Sequence, residues 1–221
     1  QTQQALLALD NEALDALIEK VIQETLQSFV KLKPYSLDTF LCKLETSYLQ
    51  QLIRQVLELD KQRPDFKIHG LEQSIELHID NWPFQLRYDR MDELADGSKC
   101  LIDYKSSLPS PLPWNQEHAL HPQILMYALA DMQIRALLFM VVKFQETLIS
   151  GIAATDTKIH GVKVSKQEWN EQQIQWFNDI RELIISIRSG LCHPKPAQSH
   201  TCQKCLYQDL CRLSHETESP I

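Results

Sequence analysis

The run from Trp82 to Lys105 constrains this chain most. Two stretches rich in apolar and β-favouring residues, Trp82–Leu94 and Lys99–Lys105, flank Asp96-Gly97. An Asp-Gly pair between two such stretches signals a type I′ hairpin turn, because both central residues must take positive φ. Upstream, Phe66, Ile68, Ile75, Leu77 and Ile79 alternate around a turn at Gly70, and Asp80-Asn81 marks another turn. Segments 66–79, 82–94 and 99–105 therefore predict an antiparallel meander, and any fold for the chain must contain that sheet.

The rest of the chain surrounds the meander with helices. Residues 1–62 hold one proline, Pro34, and no glycine. Leu6, Leu9, Leu14, Leu17, Ile18, Val21, Ile22 and Leu26 recur at three- and four-residue steps, the period of an amphipathic helix. Lys31–Ser36 is a break around Pro34, which cannot continue a helix. A second helix is predicted over 37–60 and closed by Arg63-Pro64. After the meander, Pro109, Pro111 and Pro113 force a loop. A helix is predicted over 117–132, a fully buried strand over 136–142 and an outer strand over 147–154. Lys166–Ser189 is an amphipathic helix with Gly190 at its C-cap. The order is α-α, β-β-β-α-β-β, α, then a Cys-rich tail. This is a mixed α/β fold, divided as a helical segment over 1–62, a core over 63–190 and a tail over 191–221. The sequence starts with Gln inside a helix-favouring stretch, which predicts a piece of a longer protein.

Charge and composition narrow the function classes. The 221 residues carry a formal net charge of −7, and 43% are hydrophobic, as in an ordinary globular chain. No apolar run approaches the roughly 18 residues of a membrane span, and no secretory signal opens the sequence. An acidic chain repels phosphate overall, so it binds nucleic acid only through a local basic surface or a bound cation. Five glycines and no Walker A, G-x-G-x-x-G or G-x-S-x-G pattern leave no sign of a phosphate-cradling loop or a nucleophile elbow.

The chemistry concentrates in Leu86–Ser107, LRYDRMDELADGSKCLIDYKSS. Asp103 and Lys105 stand two apart on one strand and so share a face, while Tyr104 faces the other way. Asp89, fourteen residues upstream on the paired strand, falls beside them. Two carboxylates supply hard oxygen ligands for Mg²⁺ or Mn²⁺, a bound ion activates water at a phosphate, and the lysine offsets charge. An isolated D-x-K is more often a solvated surface pair of little energetic weight. Here it ends an apolar strand, follows a D-G turn and has the upstream carboxylate.

Four of the six cysteines fall between positions 192 and 211. Cys202, Cys205 and Cys211 form C-x2-C-x5-C, a spacing that suits Zn²⁺ or an iron–sulfur cluster. Reduced, unligated thiols are the plainer alternative. His193, His200 and His215 surround these cysteines as less favoured substitutes.

As a set, D-R-M-D, the D-G turn and I-D-Y-K-S-S resemble the PD-(D/E)xK nucleases of the RecB type, including AddB-like nuclease subunits. The resemblance spans Phe66–Arg212. It implies a restriction-endonuclease-like α-β-β-β-α-β core, with Asp89 and Asp103 holding the metal and Lys105 as the catalytic lysine. Those nucleases place Q-x-x-x-Y on the following helix, and His121-Pro122-Gln123-Ile124-Leu125-Met126-Tyr127 matches it at Gln123 and Tyr127. Glu72 matches a first-strand acid, as a third ligand or an outer-shell group, ahead of Glu76 and Asp92. The Cys tail implies a [4Fe–4S] staple, with Cys192 or Cys42 as the fourth ligand. The implied setting is DNA repair in a bacterial-type cytoplasm. The substrate would be DNA ends or single strands, and the partner a helicase subunit or helicase-like domain of the parent protein. One departure stands out. The G-x-x-x-H motif that often supplies a further metal ligand in such nucleases does not occur here. It either lies upstream of Gln1 or is missing, in which case the chain is an inactive nuclease fold that grips DNA or a partner.

Overall fold

The computed structural model describes residues 1–32, 39–115, 121–191, 202 and 205–211. Three helices come first: α1 (Gln3–Leu7), α2 (Asn11–Leu32) and α3 (Thr39–Gln62). The sheet follows, with β1 (Phe66–Ile79), β2 (Trp82–Leu94), β3 (Lys99–Lys105), β4 (Ile134–Val141), β5 (Leu148–Ala153) and β6 (Val162–Val164). Helix α4 (Pro122–Ala130) links β3 to β4, α5 (Trp169–Arg188) follows β6, and a four-residue turn of helix, α6 (Gln208–Cys211), lies near the end. The six strands form one mixed sheet in sequence order. Strands β1–β2–β3 run antiparallel, β3–β4 are parallel through the α4 crossover, β4–β5 are antiparallel and β5–β6 parallel.

The N-terminal helix is interrupted where one continuous helix was expected. Asp10 accepts the Ala13 amide at 2.8 Å and starts α2 as its N-cap, so Leu9-Asp10 divides α1 from α2. Helix α4 begins later than its apolar period suggests, because Pro122 fits only the first turn, where its missing N–H is not needed. Helix α5 agrees with expectation. Glu168 caps its first amides at 2.8 and 3.2 Å, and Gly190 at φ 73° ends it, with the Leu191 amide reaching back to the Ser186 carbonyl.

The two hairpin turns are the reverse of expectation. At Asp80-Asn81 both φ angles are positive, 47° and 65°, which makes the two-residue loop between Ile79 and Trp82 a type I′ connection. At Asp96-Gly97 only Gly97 has positive φ. The Gly97 amide bonds to the Leu94 carbonyl and the Leu94 amide to the Ser98 carbonyl, giving a three-residue loop with a glycine bulge. The Gly70 position is not a turn either. It carries a bulge within one long strand, where the register shifts between Ile68 and Gly70. A Cβ there would come within 2.4 Å of the Tyr88 hydroxyl, so a larger residue would have to displace the Tyr88 and Gln73 side-chain ends.

Two cores sandwich the sheet. One face holds Met91, Leu101, Leu137, Phe139 and Ile152, covered by α4 and α5. The other holds Cys100, Ile102, Ala136, Leu138 and Met140, with Val56 and Leu59 of α3 packed on it. Strands β3 and β4 are apolar on both faces because helices cover both, which is why they read as continuous runs. α3 is also joined to the sheet by charge. Asp60 and Arg63 meet Arg90 and Asp92 in a buried ring of two acids and two arginines, with N–O distances of 2.6 to 2.8 Å. Phe66 lies beneath both guanidinium groups, 4.3 and 4.9 Å from their carbons.

Candidate active site at the splayed end of β2 and β3

Strands β2 and β3 pair from Glu93–Lys99 to Arg90–Ile102, and the ladder ends there. One rung further stand Asp89 and Asp103. β3 continues against β4 as far as Lys105 and Val141, so its end is held while its β2 edge opens. In the gap, Asp89 Oδ2 accepts the Tyr104 backbone amide at 2.9 Å. A side-chain carboxylate takes the place of a ladder carbonyl and brings its charge to the opening.

Asp103 and Lys105 share a face, as strand alternation predicts. Lys105 Nζ is 2.8 Å from Asp103 Oδ2, a charge contact without hydrogen-bond alignment. Asp103 is 4% exposed, and its Oδ2 is a buried oxygen with no hydrogen-bonding donor among the described residues. Burial pushes the Asp103 carboxyl above its usual range, Lys105 opposes that shift and Asp89 adds to it. A buried carboxylate with a single ammonium beside it and a second carboxylate nearby is stabilised further by a divalent cation. The donor set, two Asp carboxylates at adjacent strand positions, fits a hard ion such as Mg²⁺ or Mn²⁺.

The α4 residues arrive from above. Tyr127 is 2% exposed and its ring belongs to the core, while its hydroxyl donates to the Arg87 carbonyl at 2.5 Å. Gln123 Nε2, one helical turn earlier, donates to that hydroxyl at 3.2 Å. Burial raises the Tyr127 hydroxyl first, and the carboxylates of Asp103, Asp89 and Glu72 raise it further, so all three acids face this one phenol. Glu72 is an exposed rim residue with φ 51°, ion-paired to Arg87 at 3.0 Å. It does not join the two aspartates as a cage. Among the described residues, no three His, Cys, Asp or Glu side chains converge on one point.

The structure brings Asp89, Asp103, Lys105, Gln123 and Tyr127 together, with Glu72 at the edge. It does not gather the tail cysteines among the described residues. Cys202, Cys205 and Cys211 are free and Cys192 lies outside those residues, while Cys42 is half-buried on α3. Arg90 and Asp92, part of the D-R-M-D run, point away from the site into the charge ring on the opposite face. The spacing held this signal, since residues 90 and 92 alternate with 89 on a strand. Their partners Asp60 and Arg63 carried no such sign.

A mixed sheet opened at one end by a carboxylate pair with a neighbouring lysine, and flanked by helices, is the restriction-endonuclease-like arrangement. The chain matches the PD-(D/E)XK nuclease superfamily over residues 2–212, and it belongs to that superfamily. No curated protein matches it.

Proposed function

We propose that this protein is a metal-dependent deoxyribonuclease, of the exonuclease type, acting on DNA ends or single strands in repair or recombination. The observation that carries this reading is the buried Oδ2 of Asp103, which has the Lys105 ammonium at 2.8 Å and no aligned hydrogen bond among the described residues, set beside Asp89 where the β2–β3 ladder ends. Asp89 and Asp103 would hold Mg²⁺ or Mn²⁺, which supplies a water of lowered pKa and stabilises charge on the scissile phosphate. Lys105 contributes a positive charge at the same face, positioned to orient the attacking water and offset phosphate charge. Gln123 and Tyr127 fix the height of α4 over the site. Glu72 is the outer acid, ion-paired with Arg87.

The wider setting follows the sequence resemblance. It makes this chain a domain of a larger helicase–nuclease-like protein of the bacterial cytoplasm, paired with a helicase subunit or helicase-like domain. By C-x2-C-x5-C spacing alone, Cys202, Cys205 and Cys211, with Cys192, belong to a [4Fe–4S] or Zn²⁺ staple. A second reading is an inactive nuclease fold that binds DNA or a partner, favoured by the absence, among the described residues, of a third acidic or His ligand beside Asp89 and Asp103.

The deciding experiment incubates the protein with linear DNA and Mg²⁺ or Mn²⁺, beside Asp103→Ala. Degradation by the wild type and none by a folded variant supports the nuclease. Binding of DNA without cleavage in either supports the binding module.

A further inference from the structure

A cleft of about 780 Å³ opens on the catalytic face of the sheet, away from the aspartates. Its walls include Asn115 and Trp114 of the loop before α4, Ser150 of β5, Lys163 of β6, and Lys166 and Gln175 around α5. Its size falls within the roughly 300–1,000 Å³ of sites that bury a small ligand.

Position and charge both connect this cleft to the aspartates. Asp103, Phe139 and Ser150 are successive partners across β3, β4 and β5, so they share one face. At about 4.8 Å per strand, Ser150 lies roughly 10 Å from Asp103 across the sheet. Trp114 stacks on Phe139 at 5.3 Å, so the cleft wall also rests on the strand that supports Asp103. The chain is acidic overall, yet among the described residues no carboxylate lines the cleft. The nearest acid in sequence, Glu168, is turned onto the first amides of α5. Lys163 and Lys166 are exposed and make no ion pair among the described residues. The remaining polar walls are a hydroxyl and amides, of which Gln175 already donates to Asp179 at 2.8 Å, while Ser150, Asn115, Gln167 and Gln172 offer donors suited to phosphate and to base edges alike.

We infer that this cleft binds the flank of a single-stranded nucleic acid whose scissile phosphate lies at Asp89 and Asp103. The inference deepens the nuclease reading and rests on it. Lys163 and Lys166 contact backbone phosphates, and the amide side chains give contacts that do not depend on sequence. A local basic track resolves the conflict between net charge −7 and a polyanionic substrate.

The test measures binding of a short, fluorescein-labelled single-stranded oligodeoxynucleotide in Ca²⁺, for the intact protein and for Lys163→Gln/Lys166→Gln. Hydrolysis of bis(p-nitrophenyl) phosphate in Mn²⁺, an ester too small to span both places, is followed in parallel. The expected result is a Kd raised about tenfold in the double variant, and a log Kd–log salt slope smaller by about 1.4, from two lost phosphate contacts. Hydrolysis of the small ester is unchanged. An unaltered Kd and slope overturns the inference. Equal affinity for a deoxynucleoside monophosphate and the oligonucleotide also overturns it, in favour of a product pocket. A wild type that hydrolyses neither DNA nor the small ester, but binds the oligonucleotide through the two lysines, overturns the nuclease reading and leaves the cleft standing.

Discussion

Asp89 Oδ2 accepts the Tyr104 amide at 2.9 Å, so one carboxylate both closes the end of a sheet ladder and faces the site. The two roles are separable. Asn at this position keeps an acceptor oxygen and loses the charge. Asp89→Asn should therefore abolish DNA cleavage while the thermal midpoint stays close to wild type. Asp89→Ala leaves the Tyr104 amide unsatisfied and should cost about 1–3 kcal/mol in urea unfolding. Full cleavage by Asp89→Asn would remove Asp89 from the metal set.

Asp103 carries a stability cost that reports on its role. Burial raises its carboxyl above the ordinary value of 3.8, so the folded protein binds that proton more tightly than the unfolded chain. Ionising the group then opposes folding, and the penalty grows as pH rises above that ordinary value. Asp103→Asn should raise the melting temperature at neutral pH without metal. The gain should vanish in acid below about pH 3.8. Cleavage should be lost at every pH. Melting curves across the acid range check the sign: a variant less stable than wild type at pH 7 would mean that the Lys105 contact outweighs burial.

The site was legible because its residues follow one another at strand spacing. Asp103 and Lys105 share a face by alternation alone, and a hairpin brings Asp89 alongside whatever its turn type. Turn type itself was misassigned, since Asp96-Gly97 takes a three-residue loop and Asp80-Asn81 takes the type I′ turn. Both loops keep the strands antiparallel, so the site does not depend on turn type. Long-range pairing was not legible. Asp60 and Arg63 close a helix whose outward pattern looks solvated, and only the fold brings them against Arg90 and Asp92. The lysine-bearing cleft is likewise assembled from segments at positions 112–115, 150–152 and 161–175, none of which carries a motif.

That charge ring makes a prediction about stability. Asp92 is fully buried and accepts from Arg63 and from both Nε and Nη2 of Arg90. The neighbouring acids hold both guanidinium groups above their ordinary pKa against the opposing effect of burial, so both stay charged. Asp92→Ala strands two buried cations on one remaining acid, Asp60. It should destabilise the fold by about 3–5 kcal/mol, as breaking a buried pair does. The loss should also reach the site, because Arg90 contacts the Tyr104 hydroxyl at 3.3 Å and the Tyr104 amide anchors Asp89. A small change in urea midpoint would show that water enters the ring and solvates the arginines.

Gln123 and Tyr127 divide a structural role from a functional one. Tyr127 fills the core with its ring and ties α4 to β2 through the Arg87 carbonyl. Its hydroxyl is held protonated by burial and by three facing carboxylates, so it acts as a donor and not as a base. Tyr127→Phe keeps the ring and should cost about 0.5–1.5 kcal/mol for the lost hydrogen bond. Cleavage should fall with it, because Arg87 stands two residues from Asp89 on the same face. Gln123 is exposed and among the described residues contacts that hydroxyl, so Gln123→Ala should leave the stability within about half a kcal/mol of wild type. If Gln123 touches DNA, its loss raises KM for DNA with little change in kcat. If it only steadies Tyr127, the effect of Gln123→Ala disappears in a Tyr127→Phe background. Steady-state cleavage by the two single variants and the double variant separates these outcomes.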